Sequence, residues 1–169
     1  GLVTDKEVLM VGILTSLIGI GWAVGMDWLY GVVVFAGWFF DVVVYSMWLK
    51  RRTCWSIVWG GISGAMPILA GRVLGLGSID WIGIMLAFGI LLWIPTHTLT
   101  FSMKFQKDYS DAGVPTFPST YGLDITRFTI AFSSVLAAGA MVAAGVGIGM
   151  DWGFLRLLGV LSAGLLVLA

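Results

Sequence analysis

The stretch "IDWIGIMLAFGILLWIPTHTLTFSM" at residues 79–103 runs directly into "KFQKDYSDAGVPTFPSTYG" at 104–122. The first carries one acid, Asp80, at its start and neither lysine nor arginine. At 1.5 Å rise per residue it is long enough to cross a bilayer as a helix, which takes about 20 residues. The second holds Lys104, Lys107, Asp108 and Asp111 within a few positions, then two prolines. It has to leave the hydrocarbon.

Outward from this boundary, similar apolar runs occupy residues 8–25, 28–49, 55–76, 124–148 and 153–169. With 79–103 they predict an all-α, polytopic transmembrane helix bundle of six spans, because an open sheet edge is not tolerated in lipid. The connections 25–28, 49–55, 75–80 and 148–153 are short and predict antiparallel neighbours. The connection 104–123 is long, and loops of that length are commonly functional or disordered.

The composition agrees. Of 169 residues, 59% are hydrophobic and 11% charged, against roughly 45–50% and 25% in soluble domains. The net charge is zero, which argues against nucleic acid as a partner. Cys54 is the single cysteine, so no intrachain disulfide exists. No signal peptide is visible, since the first apolar run lacks a basic flank and a small-residue cleavage site. The chain opens on Gly1 and closes on an apolar run, and both ends read as cut from a longer polypeptide.

Local signals place the ends of the spans. Thr4 and Glu7 form a capping-box pattern ahead of the first run. Asp124 is a candidate N-cap for the fifth. Trp22, Trp28, Trp48, Trp55, Trp81 and Trp152 fall near span ends, as an interfacial aromatic belt would. Three Gly-x-x-x-Gly patterns, beginning at Gly60, Gly71 and Gly145, are candidates for close helix approach. Seven of the nine lysines and arginines lie on the side holding the N-terminus, 49–54 and 104–127. The positive-inside rule places that side in the cytoplasm.

Two charged connections therefore reach one membrane surface. "LKRRT" at 49–53 supplies Lys50, Arg51 and Arg52, and the 104–122 stretch supplies Lys104, Lys107, Asp108 and Asp111. Carboxylates three residues apart share one face of a helical turn and can hold a hard divalent cation. Magnesium is commonly bound by one or two carboxylates plus substrate phosphates, and lysine and arginine grip the remaining phosphate oxygens. A diphosphate site is one reading. A positive-inside bias with a solvated loop explains the same charges.

Two blocks carry a family resemblance. "VVVYSMWLKRRTCWSIVWGGISGAMPILAGR" at 42–72 resembles the signature stretch of the heme O synthases (protoheme IX farnesyltransferases), a branch of the UbiA superfamily of intramembrane prenyltransferases. The matching positions are Tyr45, Leu49, Lys50, Arg51, Arg52, Thr53, Gly60, Gly61, Gly64, Ala65 and Pro67. "WIPTHTLTFSMKFQKDYSDAGVPTFP" at 93–118 is similar to the second block through Trp93, Pro95, His97, Asp108, Tyr109, Ala112, Gly113, Val114, Pro115 and Pro118. The remainder resembles the family mainly in hydropathy.

The resemblance implies transfer of a farnesyl or longer prenyl group from an allylic prenyl diphosphate, with Mg2+, to heme B, giving heme O for terminal oxidases. It implies that Asp108 and Asp111 belong to the second acidic metal motif, with Tyr109 and Lys104 at the same mouth. Lys50, Arg51, Arg52 and Lys107 would face the diphosphate, and His97 would contact the acceptor or handle a proton. It implies a single membrane domain that is part of a nine-span enzyme, from about the third span to the eighth. The family's first acidic motif is absent from this chain, so the polypeptide as given is expected to be inactive alone. Thr98 and Thr116-Phe117 also depart from the heme O pattern. A non-catalytic prenyltransferase-like subunit of a respiratory complex, and an enzyme acting on an aromatic or glycerol phosphate lipid acceptor, stay open.

Asp41 lies about 13 Å inside the second run, where an acid is costly and functional by default. The family gives it no role. His97 lies at about 10 Å in the fourth. Tyr45, Asp41 and His97 are therefore candidate cavity residues, and the similar depths predict that Asp41 and His97 approach each other or share one wet cavity.

Overall fold

The computed structural model describes residues 3–168, all of whose regular elements are helical. Helix α1 spans Asp5–Met26, α2 Trp28–Leu49, α3 Ser56–Leu76, α4 Trp81–Lys104, α5 Gln106–Asp111, α6 Phe117–Tyr121, α7 Leu123–Ile148 and α8 Trp152–Leu168. Five of these, α1 to α4 and α7, are long and apolar enough to cross a membrane. The sixth predicted span forms α8, which has 17 residues and is shorter than the others.

The spans pack in chain order. α1 lies on α2, α2 on α3, α3 on α4, α4 on α7, and α7 on α8, with no contact between more distant spans among the described residues. Except between α4 and α7, each connection is short enough that the next helix can only fold back on the last. One residue, Asp27, joins α1 to α2, and its carboxylate accepts from the Tyr30 amide at 2.8 Å. Between α3 and α4, Asp80 caps α4 through the Gly83 amide (2.9 Å) and also receives a two-pronged bond from Arg72, at 2.7 and 2.6 Å. That bond ties the far ends of two consecutive spans.

Much of this array is apolar outside as well as inside. Ala23 is the one residue of α1 that is buried among those described, while Leu17, Ile18 and Trp22 stand more than half exposed. In water such a surface would aggregate; in lipid it is solvated. The six tryptophans expected at span ends are likewise exposed, from Trp55 at 50% to Trp152 at 78%.

The cap at Thr4 forms as expected, with reciprocal bonds between Thr4 and Glu7. Asp124 does not cap α7. Gly122 takes that position with φ +84°, a left-handed geometry that glycine adopts without a Cβ penalty. Asp124 sits inside the first turn instead, 3.3 Å from Arg127. Of the three glycine patterns, Gly60 and Gly64 do receive neighbours closely, at the Tyr45 ring and at Ile94. Gly71 and Gly75 face open space, and Gly149 ends α7 with φ +80°.

Two features were not anticipated. Residues Phe39–Leu49 continue α2 as a π-helix, a form that recurs at functional sites. The long connection is also ordered: α5 and α6 rest on α4, and α6 also on α7. Thr116 caps α6 through reciprocal bonds with Ser119.

Candidate functional site

The two charged connections converge. A cavity of about 340 Å³ lies where the end of α2, the start of α3, the last turns of α4 and the α5–α6 segment meet. Tyr45 and Lys50 reach it from the first connection, Tyr109 from the second, and His97 from α4. Lys50 Nζ stands 5.6 Å from the centroid of the Tyr45 ring, within cation–π range. The floor is a small core in which Cys54, Leu99, Phe117 and Ile130 are buried.

A second, shallower pocket of about 430 Å³ adjoins it and is lined by Asp108, Phe105 and Ala112. Phe101, Tyr109 and Val114 line both. The acid and the lysine are thus arranged around one continuous mouth, with Tyr109 between them. Asp108 and Asp111 lie on α5, three residues apart and both exposed. The ion pairs among the described residues are Arg72–Asp80 and Arg127–Asp124, so neither carboxylate is neutralised by a neighbour.

Other candidates are placed differently. Arg51, Arg52, Lys104, Lys107 and Asp111 are exposed at the same end of the array but do not line the two pockets. Lys104 instead carries its ammonium 5.3 Å from the Phe105 ring. Asp41 and His97 do not share a cavity. Asp41 lines a separate groove of about 530 Å³ with Tyr30 and Ser63, on the α2–α3 seam. Asp41 opens on the α2–α3 seam, whereas His97 opens on the mouth closed by the start of α3 and the α5–α6 segment.

Several lining groups were missed. Ser56, Ser102 and Thr116 are buried hydroxyls at the cavity. The first two carry no sequence signal. Thr116 did, because threonine is a preferred N-cap residue. His97 is stacked near-parallel on Trp93 (5.9 Å, 9°) and followed by Phe101 and Phe105, an aromatic ladder along one face of α4.

No group of three or more potential metal ligands occurs among the described residues. Two unpaired carboxylates one turn apart are a partial set. They fit a magnesium ion that takes its other ligands from substrate phosphates and water, and they do not fit an all-protein cage.

The fold and mouth define a class: a membrane-spanning helical array that presents acidic and cationic groups together over an apolar interior. The chain belongs to the UbiA prenyltransferase family, whose description matches residues 1–169. It is similar to the protoheme IX farnesyltransferase of Clavibacter michiganensis subsp. michiganensis (strain NCPPB 382), with 34% identity over 85% of this chain and 46% of the relative. The corresponding protein of Korarchaeum cryptofilum (strain OPF8) is 39% identical over 80% of this chain and 46% of its own length. That of Pyrobaculum arsenaticum (strain DSM 13514 / JCM 11321 / PZ6) is 37% identical over 86% and 58%. The chain thus spans about half the length of the curated relatives it matches. No solved structure matches it.

Proposed function

We propose that this chain forms the second acidic half of the active site of an intramembrane prenyltransferase. The enzyme moves a farnesyl or longer prenyl group from an allylic diphosphate to heme B, giving heme O. The observation that carries the reading is the shared mouth, where Lys50 and Tyr45 from one connection meet Tyr109 and the adjoining Asp108 from the other. Relatives named protoheme IX farnesyltransferases support the substrate pair.

The residues divide the work by charge. Lys50 stabilises negative charge as it grows on the departing diphosphate, and Arg51 and Arg52 raise the local concentration of the anion from the rim. Asp108 and Asp111 would hold Mg2+ with substrate phosphates. When bound, that ion neutralises the leaving group. The allylic carbon–oxygen bond breaks with its electron pair leaving on the diphosphate, the vinyl π electrons of the acceptor form the new carbon–carbon bond, and a water molecule captures the cation left on the other vinyl carbon and loses a proton, leaving a hydroxyl there. His97, stacked on Trp93, offers a flat surface beside the cavity for the acceptor ring. Residues 49–54 and 104–123 face the cytoplasm of a cell membrane in this reading. The heme product would pass to a terminal oxidase.

The test is magnesium-dependent pyrophosphate release from farnesyl diphosphate and heme B in membranes carrying the complete gene product. Asp108→Ala and Lys50→Ala should each lower kcat/KM by about tenfold or more, the worth of one hydrogen bond to a charged group. Wild-type rates in both variants would refute the site. Turnover with an aromatic or glycerol phosphate lipid acceptor, and none with heme B, would refute the acceptor.

A further inference from the structure

Helix α3 begins on the wall of the cavity, and no side chain caps it. Of its first amides, those of Ser56 and Val58 donate to the Thr53 and Trp55 carbonyls, and that of Ile57 has no acceptor among the described residues. Ile57 lines the cavity. First-turn amides point out of a helix end and carry the positive pole of its dipole.

The Ser56 side chain is a second donor at the same end. Ser56 is 7% exposed and lines the cavity. Every side-chain oxygen or nitrogen fully closed to solvent in the unexposed, described residues has a hydrogen-bond partner. The Ser56 hydroxyl has none among those residues, so its oxygen is open to the cavity. The other aliphatic hydroxyls on this wall are already engaged close to home. Thr98 donates to the Ile94 carbonyl at 2.7 Å, Ser102 to the Leu99 carbonyl at 2.9 Å, and Thr116 to the Ser119 hydroxyl at 3.1 Å. A buried donor left unpaired is costly, and a ligand that accepts from Ser56 removes that cost.

The charge around these donors suits an anion. Lys50 lines the cavity and no aspartate or glutamate does, Asp108 standing in the adjoining pocket. The hydroxyls of Tyr45 and Tyr109, also on the lining, make no hydrogen bond among the described residues and add donors rather than competing acceptors. We propose that the start of α3, through the Ser56 hydroxyl and the Ile57 amide, seats one phosphate of the prenyl diphosphate. This rests on the prenyl diphosphate reading above and adds Ser56 to the residues that bind the donor. Anions are well held where free amides and a helix dipole coincide, and here a buried hydroxyl fixes the position of the phosphate beside Lys50.

The test uses the complete gene product in lipid nanodiscs with magnesium, and the geranyl and farnesyl thiolodiphosphates, whose carbon–sulfur bond resists ionisation. Binding is read by calorimetry. Ser56→Ala should weaken both ligands by about tenfold or more, the worth of a hydrogen bond to a charged group. The factor should be the same for both, because the lost donor faces the head they share. The Tm of the unliganded variant should stay at the wild-type value, since the hydroxyl has no partner in the fold to lose. Ser56→Cys keeps the bulk of the side chain but donates weakly, and it should fall with the alanine variant. Affinity within about threefold of wild type in either variant overturns the proposal. So does a loss confined to the farnesyl compound, which would set Ser56 against the chain instead of the head. Binding that depends on Ser56, without pyrophosphate release from farnesyl diphosphate and heme B by the wild type, would sink the reaction assigned above and leave this inference standing. Wild-type turnover with binding indifferent to Ser56 would sink this inference alone. No binding of either compound by the wild type would sink both.

Discussion

Phe117→Ala should loosen the wall of the cavity without unfolding the spans. Helix α6 has five residues, far too few to be stable alone, so its order comes from packing. Phe117 is 8% exposed and buried with Cys54, Leu99 and Ile130. Its ring meets Trp55 edge-on (5.6 Å, 86°) and Tyr121 at a tilt (4.7 Å, 47°), and the Trp55 indole N–H donates to the Tyr121 hydroxyl at 3.1 Å. Two aromatic pairs are worth about 1–3 kcal/mol beyond their area, and Phe→Ala in a soluble core costs about 3–5 kcal/mol in all. The lower end, about 3 kcal/mol, applies to a short surface segment that can settle into the gap. That is about two decades in the open population. Amide hydrogen exchange over 116–122, where Thr120 and Gly122 donate to Thr116 and Pro118, should therefore quicken about a hundredfold. Exchange in the interior of α4 should stay as it was. Exchange within about threefold of wild type in that segment would show that Phe117 is not the anchor.

Gly31→Ala should destabilise the α1–α2 pair, because a Cβ there would stand 2.7 and 2.8 Å from the Val24 Cα and N. These are backbone atoms that cannot step aside, and overpacking of this kind costs about 1–3 kcal/mol. A lowered Tm of the solubilised protein checks it, and an unchanged Tm counts against the close approach. The Arg72–Asp80 tie should show an acid limb. Arg72 holds the Asp80 carboxyl down to about 2, from an ordinary value of 3.8. A depressed folded pKa means the contribution is present above the ordinary value and fades as pH falls through about 2. Thermal scans between pH 5 and 2 should show a decline that Asp80→Asn lacks, starting from a lower plateau.

Hydropathy made the spans legible, because a helix that meets lipid on its outer face has no polar side to confuse the count. The caps at Thr4 and the exposed tryptophans followed from local chemistry that acts within a turn. The π-helical stretch from Phe39 to Leu49 did not, since its apolar and β-branched residues suit an α-helix in a membrane equally well. Asp124 was misplaced by two residues for a similar reason. Both a capping acid and a first-turn acid favour the positive end of the helix, and the left-handed turn that Gly122 alone can make decides between them.

The site was legible in what it gathers and less so in how it is arranged. Counting spans put 49–54 and 104–122 at one end, and Lys50 and Tyr109 do meet there. Depth, however, is one coordinate of three. Asp41 and His97 have similar depths on α2 and α4, yet Asp41 opens on the α2–α3 seam and His97 on the mouth beside α5 and α6, so they open into different spaces. Consecutive charges are subject to the same geometry. Lys50, Arg51 and Arg52 leave the end of a helix in successive directions, so one of them enters the cavity while the next two stay on the rim. Substituting Lys50 should therefore cost more at the chemical step than substituting either arginine, whose effect should fall mainly on capture of the anion and weaken with added salt.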